Sequence, residues 1–269
     1  MKLSGKNIWV TGASSGVGEG MASVFHRAGA NVILSAQNRN QLEIAASKLT
    51  EGPGEIYLAA FDITDPADRE AAARDVLERF DRLDVLVNNA GISQRSLAKD
   101  TALDVDRRIM EVDFFGPIAL TKLVLPRFIE QQSGHFIVTS SVAGKHGVPF
   151  RTAYCAAKHA LHGFFDTLRI EHYEDNIAVT MLVIAGIPSN IAKHALTASG
   201  AEFGRQDMGG KLKITPEECG ERVMRAMLER QQETMICIEP TIEAARLSVE
   251  DPVAFTKRMV GVMKWMGSQ

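Results

Sequence analysis

The chain reads as an α/β fold of the doubly wound kind, a parallel sheet between two helical layers in three layers and one domain. Three observations carry this reading. Short apolar runs alternate with longer amphipathic ones along most of the sequence, the pattern of strands joined by crossover helices. A glycine-rich stretch follows the first apolar run directly and opens the first amphipathic one. Finally, 269 residues at 45% hydrophobic and 23% charged suffice for one ample core, and no repeat or low-complexity linker divides them.

The expected strands, each a short apolar run, are Asn7 to Val10, Asn31 to Leu34, Ile56 to Phe61, Val85 to Val87, Phe136 to Val138, Val179 to Ile184 and Met235 to Ile238. Helical patterns lie between them at Val17 to Ala28, Gln41 to Leu49, Ala67 to Phe80, Val105 to Gln131, Ala153 to Glu174 and Pro216 to Arg230. Two helix starts are marked. They are Asp65-Pro66 and Thr215-Pro216-Glu217-Glu218, where Thr215 can cap and Pro216 fits the first turn. In the tail, Asp251-Pro252 caps a helix on which Phe255, Met259, Met263 and Met266 recur at spacings of four or three. This stripe packs on the parent domain or a second subunit, or lies on a membrane surface.

A net charge of −3 gives no basic excess for nucleic acid. Met1 to Ala13 lacks the apolar core of a signal peptide, and no run approaches the ~18 apolar residues of a membrane span. Cys155, Cys219 and Cys237 are odd in number, far apart and not in metal-ligand spacing, so a reducing cytoplasm is expected and no metal. Cys155, beside Tyr154, is a buried inert thiol or a redox switch.

Chemistry concentrates between Ser141 and Lys158. Tyr154 and Lys158 are four apart in a helical pattern, so both lie on one helix face and an ammonium stands beside a phenol. A phenol ordinarily titrates near ~10, and a cation ~4 Å away favours its ionised form, which permits acid–base work near neutral pH. Ser141 returns across the Gly144 to Pro149 loop to hold a substrate oxygen near the same phenol. Such a tyrosine–lysine pair is common by itself, and its meaning comes from its surroundings. In the glycine stretch, Gly12 permits a tight turn, Gly16 and Gly18 allow close backbone approach, and the helix N-terminus offers free N–H groups to a pyrophosphate. No Gly-Lys-Ser/Thr follows, so it is not a nucleotide-triphosphatase loop.

With Thr-Gly-Ala-Ser-Ser-Gly-Val-Gly at Thr11 to Gly18, Asn-Asn-Ala-Gly at Asn88 to Gly91, and Ser141 thirteen positions before Tyr154, the chain resembles the short-chain dehydrogenase/reductase family, in its classical group. The resemblance runs from about Leu3 to Ile238. It implies a Rossmann-type dinucleotide-binding oxidoreductase domain spanning 1–269, with a variable substrate lid at 191–213 and a helical tail at 239–269. The implied reaction moves a hydride between NAD(P) and a ketone or secondary alcohol, and a homodimer or homotetramer is expected. The alternative is a nucleotide-binding protein of the same fold with little turnover, a sensor or partner.

By this resemblance, Tyr154 gives the proton in carbonyl reduction and takes it in alcohol oxidation. Lys158 lowers its pKa and bonds the nicotinamide ribose, and Ser141 holds the substrate oxygen. Cofactor contacts are implied for Gly12, Ser14, Ser15, Gly16, Val17, Gly18, Asp62, Ile63, Asn89, Ala90, Gly91, Tyr154, Lys158, Gly186 and Ile187. Within these, Asp62 bonds the adenine amine or serves as a turn residue. Where the family carries an acid or arginine after the second strand, this chain has Gln37, followed by Asn38 and Arg39. NADP(H) is favoured over NAD(H), with Arg39 reaching the 2′-phosphate or else standing as a solvated charge.

Two positions depart from the family pattern. Ala185 stands where a proline usually precedes Gly186, which frees backbone at the nicotinamide amide. Asp113 replaces the asparagine that completes the catalytic set. Pro117, four residues on, has no N–H for the carbonyl of residue 113, so a kink is expected and that carbonyl is left to hold a relay water near Lys158. Ala195, Leu196, Phe203, Met208 and Leu212 in the lid, broken by Gly204, Gly209 and Gly210, suit an apolar, moderately large substrate.

Overall fold

In a computed structural model, which describes residues 2–205 and 214–267, seven parallel strands form one sheet in the order β3-β2-β1-β4-β5-β6-β7. They are β1 (Asn7–Thr11), β2 (Asn31–Ser35), β3 (Ile56–Leu58), β4 (Val85–Asn88), β5 (Gly134–Ser141), β6 (Ile177–Ile184) and β7 (Glu233–Ile236). The helices among the described residues are α1 (Gly16–Arg27), α2 (Arg39–Ser47), α3 (Pro66–Arg79), α4 (Leu103–Met110), α5 (Gly116–Glu130), α6 (Thr152–Glu171), α7 (Pro216–Leu228), α8 (Glu239–Glu250) and α9 (Pro252–Gly267). Strand order reverses between β1 and β4, and at such a switch point the loops leaving the carboxyl ends diverge and open a crevice.

Side-chain alternation along the strands builds the three layers. In β1, Ile8 and Val10 join Met21, Phe25, Leu42 and Val223 on the face covered by α1, α2 and α7. Trp9 turns to the other face with Val76, Val124, Phe128 and Phe165 from α3, α5 and α6. Each such fully buried side chain contributes about 1.5–3 kcal/mol relative to exposure. Helix starts follow the sequence signals. Asp65 accepts from the amides of Ala67 and Asp68, and Thr215 with Glu218 forms a reciprocal capping box.

Some boundaries differ from expectation for identifiable reasons. The third strand ends at Leu58, although Ala59 and Phe61 still donate to Leu34 and Ala36, because the chain is already turning towards Asp62. The last strand stops at Ile236, since Ile238 and Pro240 begin α8. The long pattern from Val105 to Gln131 divides into α4, a π turn at Glu111–Phe115, and α5. There the Gly116 N–H donates to the Glu111 carbonyl, five residues back, so the helix takes in an extra residue just before Pro117. In the tail, Phe255 lies against the His146 ring at 4.9 Å, which packs α9 on its own domain beside the loop between Ser141 and Tyr154. Val253 and Val260 remain exposed. No helix of the described residues is long and apolar enough to cross a membrane.

His135 on β5 ties stability to pH. Its Nε2 meets Thr180 Oγ1 at 2.8 Å in a buried site, and burial, helped by the Arg230 charge, pulls its pKa from 6.5 to about 4. The unfolded chain therefore binds a proton below the ordinary imidazole range that the folded chain refuses. Stability is full above pH ~6.5 and falls by roughly 3 kcal/mol as pH drops through about 4. Urea unfolding between pH 4 and 7.5 should show a shallower slope for His135→Gln than for the wild type, and parallel slopes would contradict it.

Candidate active site

The loops leaving β1, β4 and β5 are bound to one another before any ligand is considered. Thr11 Oγ1 donates to the Val87 carbonyl and accepts from the amides of Asn89 and Ala90 at 2.9 and 3.1 Å. Asn89 Nδ2 donates to the Thr11 carbonyl at 3.0 Å, and Thr139 Oγ1 donates to Asn89 Oδ1 at 3.1 Å. Gly12 sits at φ +64°, and a Cβ there would stand 2.9 Å from Ala90 Cα; a Cβ on Gly18 would stand 2.2 Å from the Gly12 carbonyl oxygen. Only glycine allows this close packing of turn, helix and neighbouring loop.

The result is a cleft of about 350 Å³ that Gly12, Ser14, Ser15, Val17, Asn89, Ala90, Gly91, Ser141, Tyr154, Lys158, Ala185, Gly186 and Ile187 line together. Ser15 precedes α1 without a side-chain cap, so the first-turn amides are available to an anion beside the tight glycine turn. A second pocket of about 200 Å³ continues past Gly12, Ala90, Gly91 and Ile92 to Gln37, Asp62 and Ile63. This pair of pockets, joined at a glycine cradle, fits a dinucleotide extended across the switch point.

At the far pocket, Asp62 accepts from the amide and hydroxyl of Thr64 at 2.8 and 2.7 Å and from Gln37 Nε2 at 2.8 Å. Burial opposes its charge. The Thr64 bonds, the nearby Arg108 and the Gln37 amide outweigh burial and hold the carboxyl below its usual range. Arg39 is solvent-exposed. As the first residue of α2 it pairs with Glu43 at 3.3 Å and lines neither pocket. Among the described residues, the cation lining the far pocket is Arg108 on α4, which donates to Thr64 Oγ1 at 3.0 Å.

α6 carries Tyr154 and Lys158 on one buried face. The Lys158 ammonium donates to the Thr139 carbonyl at 3.2 Å and lies 5.5 Å from the Tyr154 ring centre. Ser141 ends β5 in the same cleft, its Oγ accepting from the Ala143 amide at 3.2 Å. Ser140 faces His162 at 2.9 Å and the Thr139 hydroxyl faces Asn89, so both are engaged elsewhere than at the phenol. The kink expected before Pro117 is the π turn, and residue 113 lies on it. It is the Asp113 side chain, wholly buried on the π turn, that lies 3.1 Å from Lys158 Nζ, while its other oxygen accepts the Ile92 amide at 2.7 Å. Burial pulls Lys158 down, but Asp113 and then Tyr154 more than restore its charge, and its pKa is raised. Burial pushes the Asp113 carboxyl up, against Lys158 and the Ile92 amide.

Ala185 loosens the loop less than the missing proline suggested. Its N–H, which proline would lack, donates to the Ile236 carbonyl at 3.2 Å and holds the turn to β7. Cys155 is the inert thiol of the two alternatives, because burial raises its pKa and its sulfur accepts the Val148 amide. Gln94 carried no signal in the sequence, yet it is wholly buried, and its Oε1 accepts the Ala153 amide at 2.9 Å and so anchors the first turn of α6 beside Tyr154. Arg151 and His194 also line the cleft. In the lid, Leu196 exchanges backbone bonds with Ser93 and Arg95, and Ala195 is buried. Met208, Gly209, Gly210 and Leu212 lie outside the described residues.

The fold and cleft define a nicotinamide-dependent oxidoreductase. The model of the short chain dehydrogenase family matches residues 6–199, and the chain belongs to that family. It is 41% identical over 231 residues to the mouse "Dehydrogenase/reductase SDR family member 7B", covering 84% of this chain and 72% of that protein. A Drosophila melanogaster "Dehydrogenase/reductase SDR family protein 7-like" is 36% identical over 239 residues, covering 87% and 73%. Among solved structures, a short-chain dehydrogenase from Streptomyces avermitilis is 26% identical with a TM-score of 0.82 and covers 97% of this chain and 98% of that one. A metagenomic short-chain oxidoreductase in complex with NADP is 26% identical with a TM-score of 0.72, covering 88% and 98%.

Proposed function

We propose that this enzyme interconverts an apolar ketone and its secondary alcohol, with Tyr154 as acid and base. One observation carries the reading: Ser141, Tyr154 and Lys158 share a single cleft with the glycine cradle. The bound nicotinamide supplies or accepts the hydride. Ser141 holds the substrate oxygen, Tyr154 delivers a proton to it as negative charge develops, and Lys158 steadies the phenol and a ribose hydroxyl. Ile92, Val142, Ile184 and Ile191 give the cleft its apolar wall. The competing reading, a nucleotide-binding protein with little turnover, now rests on Asp113 alone, since Ala185 is held by β7.

NADP(H) is the proposed cofactor. Gln37 is itself uncharged, and the exposed Arg39–Glu43 pair is weak enough to give way to a 2′-phosphate. A second copy of the chain is proposed against α5 and α6, where Phe114, Leu125 and Phe164 line a groove beside the exposed Phe115, Ile170 and Tyr173. Three free cysteines suit a reducing cytoplasm. The test is NADPH oxidation by the purified protein with a panel of apolar ketones, together with fluorescence titration of both cofactors. Steady turnover and tighter NADPH binding, with the preference erased in Arg39→Ala, are expected. No turnover with any ketone would sink the catalytic reading, and tighter NADH binding would reverse the cofactor.

A further inference from the structure

We infer that Asp113 sets the direction in which this site works at neutral pH, by holding a counter-charge to Lys158 that opposes removal of the proton from Tyr154. The inference rests on the proposed acid–base role of Tyr154 and adds a positioning residue that acts through Lys158. An ammonium buried on α6 without a counter-charge would be costly, and the carboxylate in contact with it at 3.1 Å supplies one. The Asp113 oxygen facing Lys158 is buried, with the ammonium as its partner. Space for the contact is kept by Gly91, where a Cβ would press within 3.2 Å of that oxygen and 3.4 Å of Lys158 Nζ.

Charge bookkeeping then decides the sense of the effect. With Asp113 and Lys158 paired, the trio is neutral while Tyr154 keeps its proton and carries a buried negative charge once the proton leaves. With an uncharged side chain at 113, the same step would take the trio from positive to neutral. Carbonyl reduction needs Tyr154 protonated, and alcohol oxidation needs it deprotonated. The carboxylate therefore favours reduction near neutral pH and moves oxidation to alkaline pH. Among the described residues, the other titratable or charged groups facing this cleft are Arg151, which caps the start of α6, and His194 from the segment after β6. His146 and Lys145 follow β5, Cys155 and His159 share α6, and the loop after β4 presents only the Ile92 amide to Asp113.

The test compares wild type and Asp113→Asn by kcat/KM in both directions from pH ~6 to ~10. The rise of alcohol oxidation, and the alkaline fall of ketone reduction, should both move about one pH unit lower in the variant. A residue that merely packs would lower rates without moving either limb. Asp113→Ser, which removes the charge but can still accept the Ile92 amide, serves if Asn does not fold. Independently of turnover, an ultraviolet tyrosinate titration, with Tyr154 assigned by subtracting the Tyr154→Phe protein, should show the same displacement. Overlapping profiles and titrations, or a variant inactive at every pH with an unmoved titration, would overturn the inference. Absence of turnover in the wild type with a displaced titration would instead remove the ketone reading and leave the charge effect standing.

Discussion

Replacing Tyr154 by phenylalanine is expected to lower kcat at least about a hundredfold while NADPH affinity stays near wild type. The substitution removes one oxygen and little else. Tyr154 is 7% exposed, and its ring packs with Ile109, Ala143 and Ala157, contacts that phenylalanine keeps. Binding should survive because the cradle is built from the Thr11, Asn89 and Thr139 bonds, none of which involves the phenol. The lost term belongs to the transition state, where charge growing on the substrate oxygen no longer meets a proton donor. Ser141 can still hold that oxygen, so weak residual turnover is compatible with the assignment. A Phe protein that keeps most of its kcat, with unchanged cofactor titration, would remove Tyr154 from the chemistry.

Much of this site was legible because it is written in spacing. A glycine turn after a strand, an Asn-Asn-Ala-Gly loop, and a tyrosine and lysine one helical turn apart are local patterns, and local geometry fixes what they can do. What the sequence obscured depends on partners far along the chain. Pro117 announced a fault in the helix, but only packing shows that the helix widens and that Asp113 meets Lys158 with its side chain. Arg108 carried no signal in the sequence, and its place at the far pocket follows from where α4 crosses the loop after β3. Ala185 read as a loss of restraint because its acceptor, the Ile236 carbonyl, comes from a strand about fifty residues later. Gln94 reaches the start of α6 across 59 positions.

Lys158→Met should be the most damaging single change, because it removes a charge that both the chemistry and the fold use. The methionine fills nearly the same volume but leaves the buried Asp113 without its ammonium, and breaking a buried pair in this way costs about 3–5 kcal/mol. The carboxyl can escape by taking up a proton, and the sign of the pH dependence follows from that. Burial already raises the Asp113 pKa in the folded state, and loss of Lys158 raises it further, so the folded variant holds a proton that the unfolded chain releases above pH ~3.9. Stability of the variant therefore falls as pH rises from mildly acidic to alkaline, more steeply than in the wild type. Urea midpoints at pH ~5 and ~8 should show the larger loss at ~8. Adding Asp113→Asn to Lys158→Met removes the stranded charge and should recover most of the stability at pH ~8. It should not recover activity, since the phenol still lacks its neighbouring cation and the ribose its donor, and kcat should stay at least about a hundredfold down. Equal losses at both pH values, with no recovery in the double variant, would mean that Asp113 is not charged beside Lys158, and would take the direction-setting inference down with it.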